Sequence, residues 1–232
     1  MGMSSNQGKI MDHRRASLRA ALLLPCLLLL GACATNRSYI NLAVPAGAPG
    51  AAATKVAVIE SVKDEREFQE NPRDPSIPSL KKGEKFTLDA EGRKSAIGRK
   101  RNGYGMAIGD IQLQSPQTVE SITRQLVTTG LQQRGYRVVD AGPAAPADAL
   151  RVNVAIREFW AWLTPGFWSI DMEAKLKTIL QFEGASGGST EVAAYGKKTA
   201  PTGREDNWKQ AYDRAFGDYL DKQKTALEQS AL

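Results

Sequence analysis

Histidine and cysteine are nearly absent from this sequence, which contains one histidine and two cysteines in 232 residues. All three, His13, Cys26 and Cys33, lie near the N-terminus, so residues 34–232 contain neither an imidazole nor a thiol. This absence excludes from that part Ser-His-Asp and Cys-His catalysis, zinc sites built from His or Cys, and disulfides. Only carboxylate, lysine, serine or tyrosine chemistry stays open, and the sequence predicts no catalytic residue, no metal site and no cofactor.

A long hydrophobic run is also lacking. Arg14, Arg15 and Arg19 precede an apolar stretch, residues 20–30, of about ten residues, which is well below the roughly 20 needed to span a bilayer as a helix. A basic segment followed by a short apolar one is typical of a cleaved export signal. The sequence therefore predicts a signal peptide over residues 1–32, whose true start is Met1 or Met11.

The last residues of this segment, Leu30-Gly31-Ala32-Cys33, resemble the lipobox of bacterial lipoproteins. The resemblance implies signal cleavage between Ala32 and Cys33 and attachment of a diacylglycerol to the Cys33 thiol, which would anchor the protein in a membrane. An ordinary secretory signal that ends at Ala32 is the alternative. Cys26 is a competing lipid acceptor, but it lies inside the apolar run and is interpreted as an apolar filler.

The residue after the lipid acceptor indicates where the protein is sorted. It is Ala34 rather than aspartate, which by the rule known from enteric bacteria predicts the outer membrane, on its periplasmic face. The inner membrane stays the alternative, because the rule varies among bacteria.

The net charge is modest once the signal is set aside. The signal holds four of the 31 basic residues and one of the 25 acidic ones, which leaves 27 basic and 24 acidic residues and a net charge of +3. The basic character of the precursor thus belongs partly to export, and the sequence predicts no nucleic-acid partner. The 200 residues that remain are enough for one domain with its own core.

The mature chain begins with a segment rich in small residues. Residues 33–54 contain Pro45, Gly47, Pro49 and Gly50, a composition that predicts a flexible tether. The folded domain is expected over residues 55–232, and it begins with Lys55–Ser61, whose alternating apolar residues predict a strand.

The hydrophobic pattern of the domain predicts an α+β fold. Ser115 as N-cap and Pro116 begin an amphipathic helix that ends at Gly135, before a strand at residues 136–140. Three strands at residues 149–162, 168–182 and 191–199 predict an antiparallel meander. A second amphipathic helix follows at residues 205–229. We therefore expect a single domain with a mainly antiparallel sheet packed against two amphipathic helices.

Four aromatic residues, Trp160, Trp162, Phe167 and Trp168, flank the predicted turn at Thr164-Pro165-Gly166. If they are exposed together, they form an apolar patch suited to a protein partner or to the bilayer interface, and they are the candidate partner-binding residues. Cross-strand pairing that fixes the hairpin to the core is the alternative interpretation.

Two further segments are candidates for binding. Residues 64–85 are charged and rich in proline, which predicts a long surface loop that is either functional or a solvated insertion. A basic cluster follows, which is either a contact for lipid phosphates or another anionic envelope polymer, or a solvated turn. Its members are Arg93, Lys94, Arg99, Lys100 and Arg101.

Several short motifs are similar to those of the YajG-type family of uncharacterised bacterial lipoproteins. They are the lipobox at Cys33, KVAVIES at residues 55–61 followed by Val62-Lys63-Asp64-Glu65-Arg66, Ala96-Ile97-Gly98-Arg99, the helix end at residues 131–136 and the strand LRVNVAI at residues 150–156. The resemblance covers about three quarters of the mature chain. It implies a small α+β domain on the periplasmic side of the outer membrane and no known reaction.

Three functional hypotheses follow. The first is a lipid-anchored, non-enzymatic domain that binds or scaffolds an envelope protein or an anionic envelope component. The second is an accessory lipoprotein of an envelope transport or secretion complex. The third is a glycan hydrolase, for which two carboxylates suffice and for which Asp64, Glu65 and Glu67 are the candidates.

Overall fold

The computed structural model describes residues 37–46, 55–80, 90–143, 145–183 and 187–230. The predicted signal peptide, its cleavage site at Ala32 and the lipid attachment site at Cys33 lie outside the described residues.

The described part of the chain contains ten strands and three helices. The strands are β1 (Ser38–Ile40), β2 (Lys55–Asp64), β3 (Gln69–Glu70), β4 (Ser79–Leu80), β5 (Ala96–Arg101), β6 (Ala107–Leu113), β7 (Tyr136–Val139), β8 (Leu150–Pro165), β9 (Ile170–Glu183) and β10 (Gly188–Ala200). The helices are α1 (Ala90–Ser95), α2 (Val119–Gln133) and α3 (Glu205–Gln229).

The long strand β8 organises the main sheet. One edge of β8 pairs along its whole length with β9, which pairs in turn with β10. The other edge is shared: β2 and then β7 lie beside its first half, whereas β5, β6 and β1 lie beside its second half. The sheet therefore forks along one edge of β8.

The fold is α+β as predicted, but the sheet is mixed rather than mainly antiparallel. The predicted meander β8–β9–β10 is antiparallel, and so is the hairpin β5–β6. The pairs β1–β6, β2–β7, β2–β8 and β5–β8 are parallel. Hairpins are visible in a sequence as neighbouring strands joined by turn residues, whereas parallel strands are joined by long crossovers that leave no local signal.

Arg66 fills the fork. Strand β2 leaves β8 after Ile156, and β5 joins β8 at Ala161, so backbone carbonyls between these positions lack a strand partner. The Arg66 guanidinium supplies the missing donors. Nη1 donates to the carbonyl oxygens of Ala96 (2.7 Å) and Phe159 (2.9 Å).

The same guanidinium also joins the end of α1 to β2. Its Nη2 donates to the carbonyl oxygen of Arg93 (2.8 Å), and the Asp64 carboxylate accepts from Nε (2.8 Å) and Nη2 (2.7 Å). The Arg66 side chain is fully buried, so this carboxylate supplies the countercharge that a buried cation needs. The Asp64-Glu65-Arg66 motif thus has a structural role.

A bulge in β8 decides which side chains enter the core. Its register with β9 shifts between Ile156 and Glu158, so the alternation of side chains between the two faces reverses there. Val152, Val154 and Ile156 face the core before the bulge, and Phe159 and Ala161 face it afterwards.

Helices α2 and α3 cover one face of the sheet, which we call the helix face. Helix α2 packs on β2 and β7, and α3 packs on β9 and β10. Helix α3 has the predicted bounds. Helix α2 begins later than predicted: Thr118, not Ser115, is its N-cap, and Thr118 and Ser121 form a reciprocal capping box.

The predicted tether contains part of the folded domain, and the expected domain start at Lys55 is therefore wrong. Strand β1 pairs with β6, and Ile40 and Leu42 are buried in the main core. The Gln117 side chain exchanges two hydrogen bonds with the backbone of Leu42. The small residues of the segment hid this apolar alternation. The compact unit begins at Arg37.

Candidate functional site

Two of the four candidate partner-binding residues, Trp160 and Trp162, are buried. Trp160 is 1% exposed, its indole nitrogen donates to the carbonyl oxygen of Pro75 (3.3 Å), and the Phe68 ring meets it edge-on at 6.0 Å. Trp162 packs beside it in the same small cluster. Both lie on the face of the sheet opposite the helices, because the bulge in β8 turns them there. We call this the loop face.

The described part of the proline-rich loop covers these tryptophans. Residues 65–80 contain the short sheet β3–β4 and contribute Phe68 and Pro75 to the packing around Trp160. In this range, the loop packs against the sheet through Phe68 and Pro75 and is not simply a solvated insertion. It forms a third layer on the loop face.

The other two residues, Phe167 and Trp168, are exposed by 88% and 86%. They lie in the β8–β9 turn, where their rings meet edge-on at 4.6 Å and touch little else. The turn is closed by a hydrogen bond from the Gly166 N–H to the carbonyl oxygen of Ser169 (2.8 Å). A Cβ at position 166 would lie 2.9 Å from that oxygen, so the turn requires glycine.

The stem below this turn is fixed by polar side chains on the loop face. The Glu173 carboxylate accepts hydrogen bonds from Thr164 and from the Tyr195 hydroxyl, both at 2.5 Å. Burial, together with this carboxylate, raises the pKa of Tyr195 well above its ordinary value, so the phenol stays a donor. The stem of the hairpin that carries the two aromatic rings is therefore tied together by side-chain hydrogen bonds.

A second turn, between β5 and β6, exposes Tyr104 and Met106 by 91% and 60%. The Asn102 carboxamide oxygen accepts from the backbone N–H groups of Tyr104 (3.0 Å) and Met106 (2.9 Å). Gly105 has a φ of +78°, which favours glycine. The Asn-Gly signal at residues 102–103 predicts a hairpin or a bulge, but no local pattern marks Tyr104 and Met106 as site residues.

The two turns lie at the same end of the sheet. Strands β5 and β8 run parallel, with Gly98 opposite Ala161, and each reaches its turn within a few residues of that pair. In the described residues, six large hydrophobic side chains are exposed, and four of them lie in these two turns. We call residues 102–106 and 166–169 the turn end. Apolar side chains concentrated in this way are typical of a contact surface.

A cleft of about 580 Å³ adjoins the β5–β6 turn. Its lining is Asn71, Pro72, Arg73, Arg101, Tyr104, Gly105, Met106 and Ala107. The Arg101 guanidinium donates to the carbonyl oxygen of Gly105 (2.9 Å), which fixes its charge beside the turn. Arg73 and Arg101 therefore line the same cleft as the exposed Tyr104 side chain.

No protein-family model matches the chain, and no curated protein matches it. Solved structures are similar over most of its length, among them the following three. They are a protein of the DUF330 family from Xanthomonas campestris (8% identity, TM-score 0.49, 84% of this chain and 96% of that one), an uncharacterised protein (11%, 0.39, 84% and 99%) and a neuraminyllactose-binding hemagglutinin homologue from Helicobacter pylori (13%, 0.31, 82% and 96%). At these values the likeness establishes neither a family nor a function. Membership in the YajG-type family stays a prediction.

The predicted basic cluster does not form one continuous surface. Arg99 is buried, and its Nε donates to the buried Asp110 carboxylate (2.9 Å). Lys100 is also buried, donates to the Ser38 hydroxyl (2.7 Å), and has its pKa lowered by burial. Both cations hold β1, β5 and β6 together. The cluster is thus largely structural, and Arg101 is the member that reaches the turn end.

Two of the three carboxylates proposed for glycan hydrolysis, Asp64 and Glu65, are engaged with different cations. Asp64 binds Arg66, and Glu65 pairs with Arg157 at 3.0 Å. No group of three or more His, Cys, Asp or Glu side chains that could hold a metal occurs among the residues described here. In the same part of the chain, no helix is both long and apolar enough to cross a membrane.

The different environments of Trp160 and Trp168 predict opposite outcomes for the same substitution. We expect Trp160→Ala to lower the free energy of unfolding by about 3–5 kcal/mol, because it empties a packed site. Trp168→Ala should change it by less than about 0.5 kcal/mol, as is usual at exposed positions. Urea denaturation followed by circular dichroism measures both. Equal losses for the two variants would contradict this assignment.

Proposed function

We propose that this chain is a lipid-anchored envelope lipoprotein whose periplasmic domain binds or scaffolds another envelope component without catalysing a reaction. The anchor is the diacylglycerol on Cys33, and the expected location is the periplasmic face of the outer membrane. The contact surface is the turn end. The observation that carries this proposal is the concentration of exposed Tyr104, Met106, Phe167 and Trp168 on two turns that are closed by hydrogen bonds.

The hydrogen bonds that close the two turns hold the exposed aromatic side chains in place. This fixed backbone geometry argues that their exposure is functional. A turn needs glycine, asparagine and proline for its backbone, but it does not need an aromatic side chain that packs against nothing in the domain. Preorganised aromatic side chains lose little conformational entropy on binding, so they are efficient contacts. Guanidinium groups at the adjoining cleft favour an anionic component.

The proposal is tested by photo-crosslinking in intact cells combined with membrane fractionation. A photoreactive amino acid is placed at Trp168 or, as a matched control, at Asp148, which is exposed just before β8 begins. We expect the probe at position 168 to capture an envelope component and the probe at 148 to capture none. We expect Cys33→Ser to move the protein from the membrane fraction to the soluble periplasm.

Two results would count against the proposal. Equal capture from positions 168 and 148 would show that the turn end is not a specific contact surface. If the Cys33→Ser variant stayed in the outer membrane fraction, the proposed lipid anchor at Cys33 would be wrong.

A further inference from the structure

We propose that the turn end faces the membrane in which the protein is anchored, and that Tyr104, Phe167 and Trp168 lie in the headgroup region of that bilayer. This inference rests on the proposed lipid anchor at Cys33 and adds an orientation to it. It names the lipid surface, rather than a protein, as the component that the turn end contacts.

The direction of β1 provides the first argument. Strand β6 starts at Ala107, directly after the β5–β6 turn, and runs away from the turn end. Strand β1 is parallel to β6, and its first residue, Ser38, lies opposite Ile111. The chain therefore approaches β1 from the side of the turn end. The Arg37 guanidinium lies on that side, 3.9 Å from the Asp110 carboxylate.

The length of the preceding chain provides the second argument. Five residues lead from Cys33 to Ser38, which limits the distance between them to about 17 Å. From Ile111 back to the start of β6 at Ala107 is four residues, or about 13 Å along the strand. The segment from Cys33 to Ser38 is thus long enough to reach the level of the turns. It is too short to hold the domain far from the bilayer.

The chemistry of the turn end provides the third argument. Tryptophan and tyrosine favour the membrane interface, where the ring is in an apolar environment and its polar group reaches water. Arg73 and Arg101, which line the adjoining cleft, can bind the phosphate groups of lipids. The apolar side chains protrude from two separate turns, so each can insert between lipid headgroups independently of the other.

Position argues against a protein partner at the same place. A partner that bound Phe167 and Trp168 would have to enter between the domain and the bilayer to which the domain is attached. The opposite end is the free one. Asp148 precedes β8, and the 16 residues of this strand place it about 50 Å from the β8–β9 turn.

The absence of other thiols makes the inference testable with single cysteines. Once Cys33 is acylated, a cysteine introduced into the mature chain is its only free thiol. We consider Phe167→Cys, Tyr104→Cys and the control Asp148→Cys, all at exposed positions, in the full-length lipoprotein. Each purified variant carries an environment-sensitive fluorophore and is reconstituted into vesicles of phosphatidylethanolamine and phosphatidylglycerol. Flotation of the vesicles reports on the anchor in the same sample.

We expect the fluorophores at positions 167 and 104 to show a blue shift and to lose intensity when spin-labelled lipid is added. The fluorophore at 148 should keep its emission in water and respond to an aqueous quencher instead. If the protein floats but all three positions behave alike, the orientation is wrong while the anchor stands. If the protein does not float, the anchor and the orientation both fail. Shielding of position 167 only in native outer membranes, and not on pure vesicles, would assign the turn end to a protein partner and overturn the inference.

Discussion

Replacement of Arg66 by methionine is expected to lower the free energy of unfolding by about 3–5 kcal/mol, the range seen when one partner of a buried charged network is removed. Methionine keeps an unbranched apolar side chain but provides no donor. The carbonyl groups of Ala96, Phe159 and Arg93 would then lose a donor that no strand replaces. Urea denaturation of the purified protein measures the loss.

Two matched variants separate the contribution of the hydrogen bonds that Arg66 donates at the fork from the contribution of its charge. Arg157 forms an exposed ion pair with Glu65, so Arg157→Ala should cost less than about 1 kcal/mol. Arg66→Lys keeps the positive charge but replaces the planar guanidinium with a single ammonium group. We expect an intermediate loss in the free energy of unfolding. If Arg66→Met and Arg157→Ala were equally stable, water would have to satisfy the carbonyl groups and the explanation would be wrong.

The Arg66 network also gives a structural reason for one of the short motifs on which the resemblance to the YajG-type family depends. The sequence links the Asp64-Glu65-Arg66 segment to this resemblance and, separately, links Asp64 and Glu65 to glycan hydrolysis. The geometry of this segment depends on carbonyl groups at residues 93, 96 and 159, which are distant in the sequence. Gly98 lies in another of these motifs, and the need for glycine there also comes from a distant segment. A Cβ at this position would lie 2.8 Å from the carbonyl oxygen of Ala161 on β8.

Elements with a strong local pattern were predicted well. Helix α3 and the β8–β9–β10 meander follow from hydrophobic periodicity and from turn residues, both of which act over a few residues. The parallel pairings, the strand β1 and the fork were not predicted, because they join distant segments. A single bulge at β8 also reversed the face on which Trp160 and Trp162 lie, and an alternating pattern contains no sign of it.

The candidate site was predicted in part for the same reason. The tryptophan-rich hairpin was located, and its two interpretations each apply to half of it: Trp160 and Trp162 pack, while Phe167 and Trp168 are exposed. Tyr104 and Met106 belong to a different hairpin. Their place at the same end of the sheet as Phe167 and Trp168 depends on the parallel pairing of β5 with β8, so no local pattern joins the two turns.

The close contact between α3 and β10 predicts that two glycine-to-alanine substitutions have opposite effects on stability. Gly196 lies on β10 under α3, and a Cβ there would lie less than 3.0 Å from backbone atoms of Ala211 and Ala215. Backbone cannot rotate away as a side chain can, so Gly196→Ala must displace the helix. We expect a loss of about 3 kcal/mol in the free energy of unfolding, at the upper end of the usual cost of overpacking.

Gly217 provides the matched control within the same helix. A Cβ at this position would meet nothing within 4 Å, and the residue lies in the interior of α3. Gly217→Ala should therefore stabilise the protein by about 1 kcal/mol, the difference in helix propensity between the two residues. Thermal and urea denaturation of both variants give the signs directly. If Gly196→Ala were neutral, α3 could shift on the sheet at little cost, and the close contact between helix and strand would not be a fixed feature of the core.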